Sequence, residues 1–187
     1  MKLSQLALGL VLASAAGVSM AATAGVDSGT ITITGKVTAS TCKVTNSENG
    51  NLSVVLPTVG VDALSVAGKE AGKRQFKVEL KGCKDEKVAL SFSADSARGA
   101  QLLNNGILKN QAADGSAAQN VGIALYDEQA GGKRIALASN AQNNTTFVTP
   151  EKDNEVTALY YSAGYYATGA ASAGDVLAIA TYEITYE

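Results

Sequence analysis

Residues 29–42 read GTITITGKVTASTC, and the fold turns on where this stretch is buried. Ile31, Ile33, Gly35 and Val37 share one face of an extended strand. Thr30, Thr32, Thr34 and Lys36 share the other. Alternation with a period of two marks a strand with one face turned to a core. Yet the stretch follows closely on the start of the chain, where segments are poorly tied down. Two readings stay open from the pattern alone. It is the first strand of its own domain, or it is a strand buried in something else.

The residues ahead of it read as an export signal. Lys2 provides the positive n-region, and LALGLVLASAAGVSM provides an apolar stretch too short for a membrane span. Ser19, Met20 and Ala21 suit cleavage after Ala21, and ATA at 22–24 offers a rival site. The other reading of residues 1–21 is a membrane anchor. Removing them leaves one domain's worth of chain, enough to bury a core. The full sequence has 15 basic and 17 acidic residues, and losing Lys2 makes the balance slightly more negative. That charge gives no electrostatic case for nucleic acid or for an anionic membrane surface. Export also implies an oxidising compartment, where the two cysteines, Cys42 and Cys83, read as a disulfide rather than as free thiols.

The rest is short alternating runs between turn residues. They are NLSVVLPTV (51–59), RQFKVELKGC (74–83), KVALSFSAD (87–95), NVGIALYDEQAGGKRIAL (120–137), TTFVTP (145–150), VTALYYSAGYYATG (156–169) and DVLAIATYEITYE (175–187). In the second, Phe76, Val78 and Leu80 share a face, and in the third Val88, Leu90 and Phe92 do. Gly131-Gly132 suits a hairpin turn. A helical turn fits only at 62–65, and residues 104–120 read as surface loop. Regular short strands punctuated by Gly, Asn and Ser imply an all-β sandwich of one domain.

The chemistry-bearing residues are few. The sequence has no histidine, which removes Ser–His and Cys–His pairs and most zinc sites. No cofactor or metal is expected, and no enzyme activity. Asp127-Glu128 and Glu151/Asp153 sit in hydrophilic, turn-like contexts. Sequons occur at Asn51, Asn143 and Asn144. The four tyrosines of LYYSAGYY suit a sandwich core and its rim, or a carbohydrate platform.

The end of the chain mirrors its start. LAIATYEITYE at 177–187 presents Ala178, Ala180, Tyr182, Ile184 and Tyr186 on one face. A final strand without a successor needs a partner for its backbone. Taken together, GTITITGKV ahead of a cysteine, a second cysteine about 40 residues on, YYATGAASAGD, and a penultimate tyrosine in ATYEITYE resemble the pilins of chaperone–usher fimbriae. NLSVVLPTVGVDALSVAGKEAG is similar to the group whose tip adhesin recognises N-acetylglucosamine.

The resemblance implies an incomplete immunoglobulin-like β-sandwich, the pilin fold, with an N-terminal donor-strand extension. Residues 1–21 are then the signal, 22–38 the extension and 39–187 the pilin domain. Ile31, Ile33, Gly35 and Val37 become the donor residues. Ala178, Ala180, Tyr182, Ile184 and Tyr186 become the acceptor groove and chaperone edge. The implied partners are identical or related subunits, a periplasmic chaperone and an outer-membrane usher, with no nucleic acid and no direct membrane insertion. The implied destination is a fimbrium on the bacterial surface, reached through the periplasm. A minor or adaptor subunit, or a self-contained secreted carbohydrate-binding sandwich, is the alternative. A two-domain tip adhesin does not fit a chain with an extension and no room for a lectin domain.

Overall fold

The computed structural model describes residues 30–35, 37, 42–83, 86–137, 145–151 and 155–187. The expected signal at 1–21, the first part of the expected extension, and the sequon asparagines 143 and 144 lie outside them. The chain divides into two compact units, Met1–Thr38 and Ala39–Glu187.

Among the described residues the second unit has eight strands: β1 (Lys43–Val44), β2 (Glu70–Lys81), β3 (Val88–Ser93), β4 (Leu108–Lys109), β5 (Val121–Asp127), β6 (Lys133–Arg134), β7 (Thr157–Ala167) and β8 (Thr181–Tyr186). The larger sheet runs β1-β2-β7-β5-β4, with β6 also on β5, and the smaller sheet is β3-β8. Every named pair is antiparallel. This is a two-layer, immunoglobulin-like sandwich, and its core follows from the alternation in its strands. On β2, Val78 and Leu80 are buried and Phe76 packs on the same cluster, while Lys77 and Glu79 pair on the outer side at 2.5 Å. On β3, Val88, Leu90 and Phe92 point inward. From β7, Leu159 and Tyr161 complete the centre. The Phe92 and Tyr161 rings meet edge-on, 4.8 Å between centroids.

Cys42 and Cys83 are joined by a disulfide with a Cα separation of 4.4 Å. It closes a 41-residue separation at the entry to the sandwich. In the chain-entropy model such a loop contributes about 4 kcal/mol.

Several local expectations meet a more exact structure. The β5–β6 hairpin turns at Gly131 and Gly132, both at positive φ. The helical turn is a short 3-10 segment, Val61–Leu64. Residues 104–120 are more than surface loop. Leu108 pairs with Ile123 in β4, and Ile107 and Leu108 are both buried. Two apolar residues inside a turn-rich stretch suffice to dock it on β5. Among the described residues the TTFVTP run makes one bridge, Val88 to Val148.

Candidate functional site

The last strand and the run after β1 face each other across a gap. Residues 175–187 read as one strand, but the ladder with β3 begins only at Thr181. Ahead of it, burial still alternates. Val176, Ala178 and Ala180 are half-buried against the main core, and Leu177 and Ile179 are exposed. The backbone of Leu177 is held from outside: its N–H donates to Asn110 Oδ1 at 3.0 Å and its carbonyl accepts from Gln111 N at 2.7 Å. Neighbouring residues in an extended chain aim their main-chain groups at opposite edges. Val176 and Ala178 therefore aim theirs at the gap.

The opposite wall is the NLSVVLPTV run. Leu52, Val54 and Leu56 are half-buried, while Ser53 and Val55 between them are exposed. The segment has the side-chain pattern of a strand, yet it belongs to neither sheet. Pro57, which has no N–H to give a ladder, ends the run.

Between the walls lies a groove of about 540 Å³. Its floor is the sandwich core itself: Phe76 and Val78 from β2, Phe92 from β3, Leu108 from β4, Ile123 and Leu125 from β5, and Ala163 and Tyr165 from β7. Tyr165 fits because β2 carries an irregularity between Ala71 and Arg74. Gly72 there sits at φ 61°, and a Cβ on it would come within 2.8 Å of the Tyr165 ring. Residues 160–166 thus divide as a strand must: Tyr161 and Tyr165 face the core, and Tyr160 is exposed.

Of the residues singled out in the sequence, Ala178, Ala180 and Tyr182 line the groove. Ile184 and Tyr186 lie further along β8, packed against the main core but outside the groove lining. Ile31, Ile33 and Val37 are 89%, 88% and 101% exposed. A Cβ added at Gly35 would meet nothing within 4 Å. The wall of Leu52, Val54 and Leu56 was legible as a strand, but its role was not. Its signal was the same period-two alternation, with no sequence cue to the strand it faces.

A sandwich whose core is laid bare along one edge of its smaller sheet is an incomplete immunoglobulin-like domain. The chain belongs to the fimbrial protein family, whose model matches residues 31–187. It is 39% identical to the major fimbrial subunit SMF-1 of Stenotrophomonas maltophilia (strain K279a), over 84% of this chain and 92% of that protein. It is likewise 39% identical to the F17 fimbrial protein of Escherichia coli, over 95% of this chain and 97% of that one. In structure it resembles the P pilus rod subunit PapA, with a TM-score of 0.55 at 19% identity, over 78% of this chain and 99% of PapA. A subunit of a chaperone–usher pilus gives 0.56 at 19% identity, over 86% and 96%.

Proposed function

We propose that this chain is a structural pilus subunit that polymerises head-to-tail, each copy receiving the N-terminal strand of the next. The observation that carries this reading is a matched pair of incomplete surfaces. One is an apolar groove open to its own core. The other is an alternating segment whose large apolar side chains are almost fully exposed. Burying Ile31, Ile33 and Val37 in a neighbour's groove contributes about 1.5–3 kcal/mol each. Strand addition also supplies main-chain hydrogen bonds to the groove edge. Gly35 has no local reason to be glycine, since a side chain there would meet nothing. Its reason lies in the groove, where the donor backbone passes close to a wall. Donor and acceptor surfaces differ, so the contact is heterologous and builds a filament.

In this scheme residues 1–21 direct export and are removed, 22–38 form the donor extension, and 39–187 form the receiving domain. The acceptor set is Ala178, Ala180 and Tyr182, and with Ile184 and Tyr186 these residues form the edge that the chaperone covers. A periplasmic chaperone fills the groove first, and the exchange takes place at an outer-membrane usher. The product is an extracellular fimbrium, and the subunit's work is assembly rather than catalysis. A single domain with a donor strand suits the major subunit. Membership of the group with N-acetylglucosamine-binding tips rests on residues 51–72, and glycan binding by the assembled organelle tests it.

The test of the main proposal is thermal unfolding of a chain lacking residues 22–37, with and without a synthetic peptide of that segment. A peptide that raises the melting temperature by tens of degrees supports the groove and its donor. A truncated domain of unchanged stability that never takes the peptide refutes it.

A further inference from the structure

The groove has one closed end. Its lining stops at Gly50 on one wall and at Tyr182 on the other. There the Tyr182 hydroxyl donates to the Gly50 carbonyl at 2.6 Å, tying the walls together. The acceptor is rigidly presented. Glu48 and Asn51 exchange backbone hydrogen bonds of 3.2 and 2.8 Å. Between them Asn49 and Gly50 both hold positive φ, 52° and 82°. Asn-Gly is the pair such a two-residue turn favours. On the other wall, Tyr182 stands in the β3–β8 ladder opposite Phe92. Both partners of the bridge are therefore fixed by secondary structure.

The bridge stands where the lengths run out. Val176 to Tyr182, Gly50 to Leu56, and Ile31 to Val37 each cover six residue steps. Each is about 20 Å as extended chain. A strand of the length of Ile31 to Val37 fills the groove from the Val176 end to the bridge. Beyond the bridge β8 continues to Ile184 and Tyr186, so its edge alone would let a strand slide further. A slip of one residue turns every apolar side chain outward and is rejected by the pattern. A slip of two keeps the apolar face inward while moving Gly35 into a place meant for an isoleucine. Alternation fixes the face and leaves that error open.

We propose that Tyr182 is a positioning residue, and that its bridge to Gly50 is the end stop that sets the register of the strand the groove receives. The inference rests on the donor-strand reading above. The test uses the full mature chain and a peptide of residues 29–38 carrying a photoreactive diazirine leucine at position 33. Cross-links are mapped by mass spectrometry, and peptide dissociation is timed. The native chain should give one cluster of cross-linked wall residues. Tyr182→Ala should add a second cluster displaced by two residues, with at least a third of the product. Tyr182→Phe keeps the ring and loses the bridge. It should release the peptide up to about five-fold faster, the limit reached when the whole worth of the wall-to-wall bond is felt by the strand held behind it, with a minor second cluster. If Tyr182→Ala fails to fold, Tyr182→Phe decides. A single unshifted cluster at the native dissociation rate overturns the proposal. A native chain that takes up no peptide removes the donor-strand reading and this inference with it.

Discussion

The two long edges of the β3–β8 sheet are finished in opposite ways. Along the outer edge of β3, Val88 and Val148 exchange backbone hydrogen bonds of 2.9 and 2.8 Å. Thr145 Oγ1 donates to the Leu90 carbonyl at 2.6 Å, and Leu90 N donates to the Tyr161 hydroxyl at 3.3 Å. The strap is held from behind by Asp127, which is only 2% exposed. One carboxylate oxygen accepts from Thr146 N at 2.7 Å. The other accepts from Gln129 N and Nε2 at 3.0 and 3.1 Å. Filling its lone pairs this way makes a buried carboxylate tolerable. Along the outer edge of β8 there is no strand among the described residues, only the groove. Among the described residues, the chain thus closes one edge with its own residues and leaves the other open. By that contrast the open side is the one left to the strand proposed above, with an apolar groove along it.

The largest effect should come from breaking the open side without touching the folded domain. Ile33→Asp replaces a side chain that is 88% exposed, so the melting temperature should stay within about 2 °C. Assembly should be abolished, because a charge would have to enter an apolar floor. Electron microscopy of pili beside a melting curve reads both. Wild-type polymer from this variant would separate the segment from the groove. Asp127→Ala strikes the closed side and should reverse the pattern. It strands the Thr146 and Gln129 donors at a cost of about 3 kcal/mol. That corresponds to roughly 6–12 °C in melting temperature for a domain of this size. The donor peptide should still bind. Equal loss of peptide binding and stability would mean that the two edges are not independent.

The open edge was far more legible in the sequence than the closed one. Ile31, Ile33 and Val37, and likewise Ala178, Ala180 and Tyr182, announce themselves by period-two alternation, which is a property of neighbours along the chain. The disulfide followed from two cysteines and an export signal. The strap could not be read this way. Asp127-Glu128 looks like a solvated turn, and nothing local says that Asp127 is enclosed by residues 19 positions away. The same holds for Leu52, Val54 and Leu56, whose facing wall lies more than a hundred positions on. The Tyr182–Gly50 bridge spans 132 positions. Patterns set by backbone geometry were visible, and pairings set by tertiary packing were not.

The smallest effect sharpens the comparison from inside the closed edge. Tyr161 is fully buried, and its hydroxyl accepts from Leu90 N. Burial pushes its phenol well above the ordinary tyrosine range, with the Leu90 hydrogen bond acting in the opposite direction. The folded state therefore keeps a proton that the unfolded chain gives up near pH 10. Its contribution to stability is complete below that value and declines as pH rises beyond it toward the folded pKa. Tyr161→Phe should cost about 1 kcal/mol at pH 7 through the lost hydrogen bond. It should also shrink the alkaline decline, leaving the share due to Tyr126 and Tyr182, whose phenols burial raises as well, and to Lys77, which Glu79 raises. Urea midpoints at neutral pH and above pH 10, for both chains, measure this. If the difference between wild type and variant is the same at each pH, Tyr161 ionises without opening the core. The β3 edge would then be held by the strap of residues 145–148 alone.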